Sequence, residues 1–186
     1  MVNISNNPFL NGFKTFPGLD GHRQWVKTAR LLKPMEPVNI VCGKKHGLPF
    51  EYLMTDIYSG CLPLAGICYG NCTAALFWVS KGYDFGKRSI NAWDPEMFKE
   101  SLDDLPPDQR WLRQGWMSDV SFSKEGWLIL SQVSDILHDK KMHLMVLTKV
   151  HTVPDKDILQ RLARNKVEIR VSVSALDTEA EIGRRL

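Results

Sequence analysis

The sequence predicts an α/β fold: a partial (βα) barrel of about five strand–helix units around a parallel sheet, preceded by an irregular N-terminal extension. Strand-like and helix-like segments alternate from about residue 55 to the end of the chain. The segment 142–148 is a nearly continuous apolar run, which is typical of a strand in a parallel sheet. Helix-start signals follow several of the strands, as the crossover connections between parallel strands require.

Length and composition indicate a soluble globular protein of one domain with a small extension. The chain has 186 residues, of which 44% are hydrophobic and 24% are charged. Six Trp, eight Phe and four Tyr supply a large core, which excludes disorder as the dominant state. The net charge of +3 is too small to indicate nucleic-acid binding by itself.

No segment resembles a membrane span or a secretion signal. No apolar run reaches the roughly 18–20 residues of a membrane helix, and residues 1–10 lack the basic start and apolar stretch of a signal peptide. We therefore expect a cytoplasmic protein with no membrane partner, whose cysteines stay reduced.

Residues 1–54 form the predicted N-terminal extension, because glycines and prolines interrupt them. Within this extension we expect one short helix at 22–32 and one short strand at 38–42. The predicted partial barrel spans 55–186. Its first elements are a strand at 55–59, a buried helix at 73–83 and a strand at 87–92.

Local signals define the remaining elements. Asp94 caps a helix that has Pro95 in its first turn and that stops at Pro106. Pro154 and Asp155 open another helix. From residue 94 onward we expect four helices, which begin at 94, span 124–138, span 155 to about 165 and begin at 178. The expected strands in this part are 111–118, 142–148 and 167–174. The expected inward residues are Phe98, Leu102, Leu105, Trp127, Leu130, Val133, Leu137, Ile158, Leu159 and Leu162.

Polar side chains lie at the carboxyl ends of the predicted strands, where parallel α/β folds gather their active sites. These residues are Cys61, Ser118, Asp119, Thr148, Lys149, Ser172, Ser174 and Asp177. Ser172 and Ser174 are two residues apart on one strand, so they face the same side of the sheet. We expect all of these groups to meet at one edge of the sheet.

Three of the four cysteines crowd into the loop that follows the first barrel strand. Cys61, Cys68 and Cys72 are separated by six and then three residues, and Cys42 precedes them. Three thiolates on one Gly- and Pro-containing loop suit a soft metal or an iron–sulfur cluster. A structural zinc site with Cys42 as fourth ligand is an alternative, although its usual two close Cys pairs are missing. Burial of unrelated cysteines as small apolar residues is another.

The ordered set of motifs resembles the radical S-adenosylmethionine superfamily, and within it the branch that contains spore photoproduct lyase and phage-associated radical-SAM-like proteins. The resemblance covers roughly residues 55–186. The matching stretches are Ile90-Asn91-Ala92, Gly115-Trp-Met-Ser-Asp119, Leu147-Thr-Lys149, Asp155-Lys-Asp-Ile-Leu159 and Val171-Ser-Val-Ser-Ala-Leu-Asp177. The six-residue gap between Cys61 and Cys68 resembles that of the phage-associated group, whereas the usual family motif is shorter.

The resemblance implies a 4Fe–4S cluster held by Cys61, Cys68 and Cys72, with S-adenosylmethionine as the second cofactor. Such an enzyme takes an electron from an external donor, cleaves S-adenosylmethionine to a 5′-deoxyadenosyl radical and abstracts hydrogen from a substrate. The resemblance also implies that Tyr69 packs on adenine and that Lys149 binds the methionyl carboxylate. The implied partners of the ribose or the methionyl group are Ser118, Asp119, Ser172 and Ser174. By analogy, the candidate substrate is a nucleotide or a nucleic acid.

Each assignment has an alternative that needs no cofactor. Ser118, Asp119 and Asp177 are of the types that cap helices, and a lysine such as Lys149 is often a solvated surface residue. The chain ends one unit short of the usual family barrel. We therefore expect an unusually short and open barrel, a barrel completed by a partner or a second copy, or a truncated form. The remaining hypotheses are a zinc-stabilised α/β binding module and a metal-free fragment without activity.

Overall fold

The computed structural model describes residues 33–40, 53–61, 74, 78, 81–85, 88–116, 118–172 and 179. These residues form a mixed α/β fold with three α-helices and small parallel sheets, which confirms the predicted α/β class. They divide into two compact units. One unit holds the described residues before 37, from 60 to 89 and 179, and the other holds those of 37–59 and 90–172. Each unit draws residues from both sides of position 55.

Eight strands and three helices follow one another along the described residues. The strands are β1 (Lys33–Pro34), β2 (Leu53–Met54), β3 (Tyr58–Ser59), β4 (Tyr83–Asp84), β5 (Ser89–Ile90), β6 (Trp111–Gln114), β7 (His143–Thr148) and β8 (Glu168–Val171). The helices are α1 (Pro95–Asp103), α2 (Lys124–Asp139) and α3 (Lys156–Arg164). A short 3₁₀ turn, Val120–Phe122, precedes α2.

Four strands form a parallel sheet in the order β2–β6–β7–β8. Leu112 of β6 lies opposite Leu144 of β7, and Met54 of β2 lies opposite Arg113 of β6. Helix α2 carries the chain from β6 to β7, and α3 carries it from β7 to β8. Each crossover helix returns the chain to the end of the sheet at which the previous strand began, and the successive strands are therefore parallel.

Strand β2 is the direct neighbour of β6. The Thr55 N–H donates to the Arg113 carbonyl at 3.0 Å, and further along the Asn91 N–H donates to the Ile57 carbonyl at 2.9 Å. In a barrel with its strands in chain order, the predicted strand at 87–92 would lie between the first strand and β6. The pairing of β2 with β6 departs from that order, and the partial barrel stays a prediction.

Helices α1 and α2 begin at the positions that the sequence predicts, and they bury the predicted residues. Asp94 Oδ1 accepts a hydrogen bond from the Met97 N–H at 2.9 Å, and Pro95 is the first residue of α1. Ser123 Oγ caps α2 by accepting from the Gly126 N–H at 3.2 Å. The resulting core contains Phe98, Leu102, Trp127, Leu130, Val133 and Leu137 from the helices and Leu112, Leu144 and Val146 from the sheet.

Two predicted elements end earlier than expected because a glycine takes a positive φ. Gly82 has φ +86°, and Tyr83, predicted to be helical, begins strand β4 instead. Gly115 has φ +97°, so β6 ends at Gln114 and does not reach Ser118. This left-handed conformation favours glycine and interrupts both helices and strands.

One predicted inward residue is wrong. Leu159 is 41% exposed, because Ile158 and Leu162, which are four positions apart, take the inner face of α3. The other predicted segments lie wholly or largely outside the described residues: the helix at 22–32, the end of the strand at 38–42, most of the helix at 73–83, the end of the strand at 167–174 and most of the helix from 178.

Candidate functional site

The carboxyl ends of β6, β7 and β8 bring several predicted site residues together. The Lys149 N–H donates to Asp119 Oδ2 at 2.7 Å, and the Thr148 hydroxyl donates to Asp119 Oδ1 at 2.7 Å. The Ser172 N–H donates to the Thr148 carbonyl at 2.8 Å, which brings the residue after β8 to the same edge. Ser118 directly precedes Asp119 in the chain.

Asp119 is a structural centre of this edge, and it is only 7% exposed. Its Oδ1 also accepts from the Ser121 N–H at 2.9 Å and from the Ser121 hydroxyl at 2.7 Å, which caps the 3₁₀ turn. Both carboxylate oxygens are therefore engaged by donors of the chain itself. This geometry corresponds to the capping alternative and weighs against a ribose-binding role for Asp119.

Lys149 and Ser118 are both buried, with 6% and 8% of their surfaces exposed. The alternative of a solvated surface lysine at position 149 is therefore wrong. A lysine that directly follows a strand of a parallel sheet presents a positive point charge at the edge where such folds bind their ligands. The Ser118 hydroxyl has no hydrogen-bond partner among the described residues.

His151 belongs to the same edge and was not singled out from the sequence. Its Nε2 lies 3.6 Å from Asp119 Oδ2, and its ring stacks on Phe122 with the ring centroids 5.0 Å apart. The His151 N–H donates to Ser121 Oγ at 2.8 Å. Val150, just before it, has φ +54°, which is a strained conformation for a β-branched residue. The sequence feature that could have identified His151 as a residue of this edge is its position just after the end of a predicted strand.

A second carboxylate, Asp56, holds the turn that follows β6. Its Oδ1 accepts from the N–H groups of Gly115 at 2.8 Å and Trp116 at 3.2 Å. A Cβ atom at Gly115 would collide with the Leu147 carbonyl oxygen, so the turn packs closely on β7. Sequence reasoning missed Asp56, because its partners lie 59 and 60 positions further along the chain.

Asn91, in the stretch 90–92 that resembles the family, has a structural role. It is buried, and its Nδ2 donates to the Asp56 carbonyl at 2.8 Å. Its Oδ1 accepts from the Ser59 hydroxyl at 2.7 Å and from the Val38 N–H at 3.1 Å. This one side chain therefore links three separate segments of its unit.

Cys61 is the predicted metal ligand that the structure describes. It is half-buried and lies two residues after the end of β3, and its N–H donates to the Phe85 carbonyl at 2.9 Å. It packs against the small core of its unit, which is formed by Met35 and Phe85. Within the described residues, no group of three or more His, Cys, Asp or Glu is placed to hold a metal ion. The remaining residues of interest, Cys42, Cys68, Tyr69, Cys72, Ser174 and Asp177, lie outside the described part of the chain.

The geometry defines an α/β protein with a buried polar edge at the carboxyl ends of its parallel strands. No family model, curated protein or solved structure matches the chain. Among the helices of the described segments, none is both long and apolar enough to cross a membrane. The function is therefore argued from the site residues themselves.

Proposed function

We propose that this chain is a radical S-adenosylmethionine enzyme in which Cys61, Cys68 and Cys72 bind a 4Fe–4S cluster. The observation that carries the proposal is the run of three cysteines that begins two residues after strand β3. Thiolates are the ligands of such clusters, and three of them leave one iron for an exogenous ligand. The hydrogen bond from the Cys61 N–H to Phe85 anchors the start of this run.

The chain's own residues bind and orient S-adenosylmethionine in this proposal, and the cluster, when bound, supplies the electron for its reductive cleavage. Lys149, which directly follows β7, holds the methionyl carboxylate as a point charge. Ser118 and Ser172 offer hydroxyl groups from neighbouring strand ends. Asp119 is a positioning residue, which orients Lys149 through the bond to its N–H.

The remaining parts of the proposal rest on the family resemblance. Tyr69 packs on adenine, and Ser174 acts beside Ser172. The enzyme uses an external electron donor, and a nucleotide or nucleic acid is the candidate substrate. The proposed architecture is a partial barrel that a partner chain or a second copy completes.

Metal analysis of protein purified without oxygen tests the proposal. We expect about four irons and four sulfides per chain, with visible absorption that bleaches on addition of dithionite. Cys68→Ala should abolish the iron content and the formation of 5′-deoxyadenosine from S-adenosylmethionine. The matched control is Cys42→Ala, which should retain both because Cys42 lies outside the proposed ligand set.

A different metal content would contradict the proposal. About one zinc per chain without iron, together with loss of stability in Cys42→Ala, would identify a zinc-stabilised binding module. Protein without metal after anaerobic reconstitution with iron and sulfide would contradict both metal hypotheses.

A further inference from the structure

Strand β8 is the outermost strand of the four-stranded sheet. The strand order is β2–β6–β7–β8, so β8 has β7 on one side and no further strand among the described residues on the other. None of its four residues is buried, and Ile169 is 36% exposed. An edge strand carries a row of main-chain donors and acceptors that can pair with a strand of another chain. This edge is therefore a candidate interaction surface.

One hydrogen bond fixes the direction of the main-chain groups along β8. The Ser172 N–H donates to the Thr148 carbonyl at 2.8 Å, so the N–H of the residue directly after β8 points to β7. Main-chain groups alternate in direction along a strand, so those of Arg170, two residues earlier, point to β7 as well. The N–H and carbonyl groups of Ile169 and Val171 therefore point away from β7, to the outer edge of the sheet.

The side chains of β8 carry two opposite charges on one face of the sheet. Glu168 and Arg170 are two residues apart, so they share the face of Met145, which lies opposite Glu168 in β7. Ile169 lies on the other face, opposite the core residue Val146. Arg170 Nε donates to Glu168 Oε1 at 2.5 Å, and the two side chains are 60% and 40% exposed. Both charges are therefore accessible from the edge of the sheet.

We propose that two copies of this chain associate through β8, with the two strands antiparallel about a two-fold axis at Ile169. In this register Ile169 lies opposite Ile169 of the second copy, and their outward main-chain groups exchange two hydrogen bonds. Glu168 lies opposite Arg170 of the second copy, and the symmetry makes this contact twice. The charge pattern of β8 is therefore complementary to its own copy.

The signs of the two charges favour association over protection of the edge. Charged residues protect edge strands by presenting charges that a second copy repels, and like charges directly opposite one another are destabilising. Two like charges at 168 and 170 would have this effect, whereas Glu168 and Arg170 attract their counterparts in an antiparallel copy. A parallel arrangement in the same register would instead place Glu168 beside Glu168 of the next copy, and it would not close into a dimer.

The inference goes beyond the proposed function, which leaves a partner chain and a second copy open. It commits to the second copy and uses none of the cysteines, so it does not depend on the cluster. Pairing of two four-residue strands buries little surface. We therefore expect a weak dimer whose population depends on protein concentration.

Sedimentation equilibrium of the full-length chain and of two charge variants tests the dimer. Glu168→Arg gives β8 two positive charges and Arg170→Glu gives it two negative charges, so each should raise the Kd of its own dimer by at least about tenfold. An equimolar mixture of the two variants should associate about as tightly as the unaltered chain, because every facing pair is again of opposite charge. Neither variant retains the pair within its own strand, so only contacts between chains can restore association.

Glu96→Arg is the matched control, because Glu96 pairs with Lys99 on the exposed surface of α1 and not in β8. It makes the same change of net charge as Glu168→Arg and should leave the Kd of the dimer unchanged. An unaltered chain that stays monomeric up to about 1 mM would overturn the proposal. So would a mixture of the two charge variants that stays monomeric, or a control that weakens the dimer as much as Glu168→Arg.

Amide hydrogen exchange locates the contact. The amides of Ile169 and Val171 should exchange slowly in concentrated samples and faster on dilution, whereas that of Arg170 should be protected in both because it points to β7. Protection of Ile169 and Val171 that does not change with concentration would show that the chain itself covers this edge, and it would overturn the proposal. Iron analysis of the same samples reports on the cluster separately: a dimer without iron contradicts only the proposed function, and an iron-containing monomer contradicts only this inference.

Discussion

Asp119 and Lys149 join the ends of two neighbouring parallel strands, because Asp119 Oδ2 accepts the Lys149 N–H at 2.7 Å. The bond connects residues 30 positions apart and fixes the chain after β7 against the chain after β6. Asp119 also accepts from Ser121 and Thr148, so one carboxylate organises the whole edge. The proposed ligand contact of Lys149 depends on this carboxylate, which itself contacts no ligand in the proposal.

Replacement of Asp119 should therefore destabilise the fold. In Asp119→Ala, several buried donors lose their acceptor, and we expect the free energy of unfolding to fall by about 3 kcal/mol. Urea denaturation measures the change. The control is Asp108→Ala, an exposed position, which should change stability by less than about 0.5 kcal/mol. Equal effects of the two substitutions would contradict the structural role of Asp119.

Gly115 should tolerate alanine much less well than Gly82, although both have positive φ. At Gly82 nothing lies within 4 Å of the added Cβ, so Gly82→Ala costs only the backbone strain of about 1–2 kcal/mol. In Gly115→Ala the Cβ also collides with the Leu147 carbonyl oxygen, and we expect a clearly larger loss. Thermal unfolding of the two variants checks the order, which a similar loss in both would refute.

The two aspartates that begin helices α1 and α3 should differ in their contribution to stability. Asp94 accepts the capping bond from Met97, and Asp94→Ala should cost about 1 kcal/mol. Asp155 makes no capping bond with its side chain and pairs with Lys124 at the surface, so Asp155→Ala should cost less. Chemical denaturation compares them. A larger loss in Asp155→Ala would show that the observed capping bond contributes little.

Stability should decrease in acid through Asp135 of α2, whose carboxylate accepts hydrogen bonds from Arg161 of α3 and from Asn165. Burial raises the pKa of this carboxyl, but hydrogen bonds from Arg161 and Asn165 and the charges of Arg161 and Arg164 outweigh it, so the pKa is lowered from 3.8. A carboxyl whose pKa is lower in the folded state stabilises the fold above its unfolded pKa and loses that contribution as the pH falls through its folded pKa. Denaturation measured from pH 6 down to about pH 3 should show this loss.

Asp135→Asn should flatten this acid-range dependence. The lost contribution at neutral pH should be about 1 kcal/mol or less, because Asp135 and Arg161 are 29% and 35% exposed. Asp155→Asn is the control at neutral pH, since its ion pair with Lys124 is more exposed and its loss should cost less stability. An unchanged profile for Asp135→Asn would assign the acid sensitivity to other groups.

The helices of this protein could be predicted from the sequence, because their signals are local. The Asp94–Pro95 start and the spacing of Trp127, Leu130 and Leu137 act within one or a few turns. The apolar run at 142–148 likewise indicated the buried strand β7. For the site, the same patterns placed Lys149 directly after β7, as the structure has it, whereas Ser118 and Asp119 lie beyond the turn that ends β6 at Gln114.

The hydrogen-bond partners of those residues could not be predicted in the same way. Asp119 faces Thr148 and Lys149, and Asp56 holds Gly115, through bonds between residues 29 to 59 positions apart. Such contacts form only when the sheet adopts its strand order, which depends on the packing of the whole unit and not on any local pattern.

Local patterns in the sequence therefore predict the α/β class, the starts of α1, α2 and α3 and the order of the polar groups along the chain. The pairing of β2 with β6, the engagement of Asp119 by donors of the chain and the burial of Gln114 without a partner among the described residues emerge from the folded chain alone. The physical reason is that helix capping and periodicity act over a few residues. Strand pairing and the burial of polar groups depend on contacts between residues far apart in the chain.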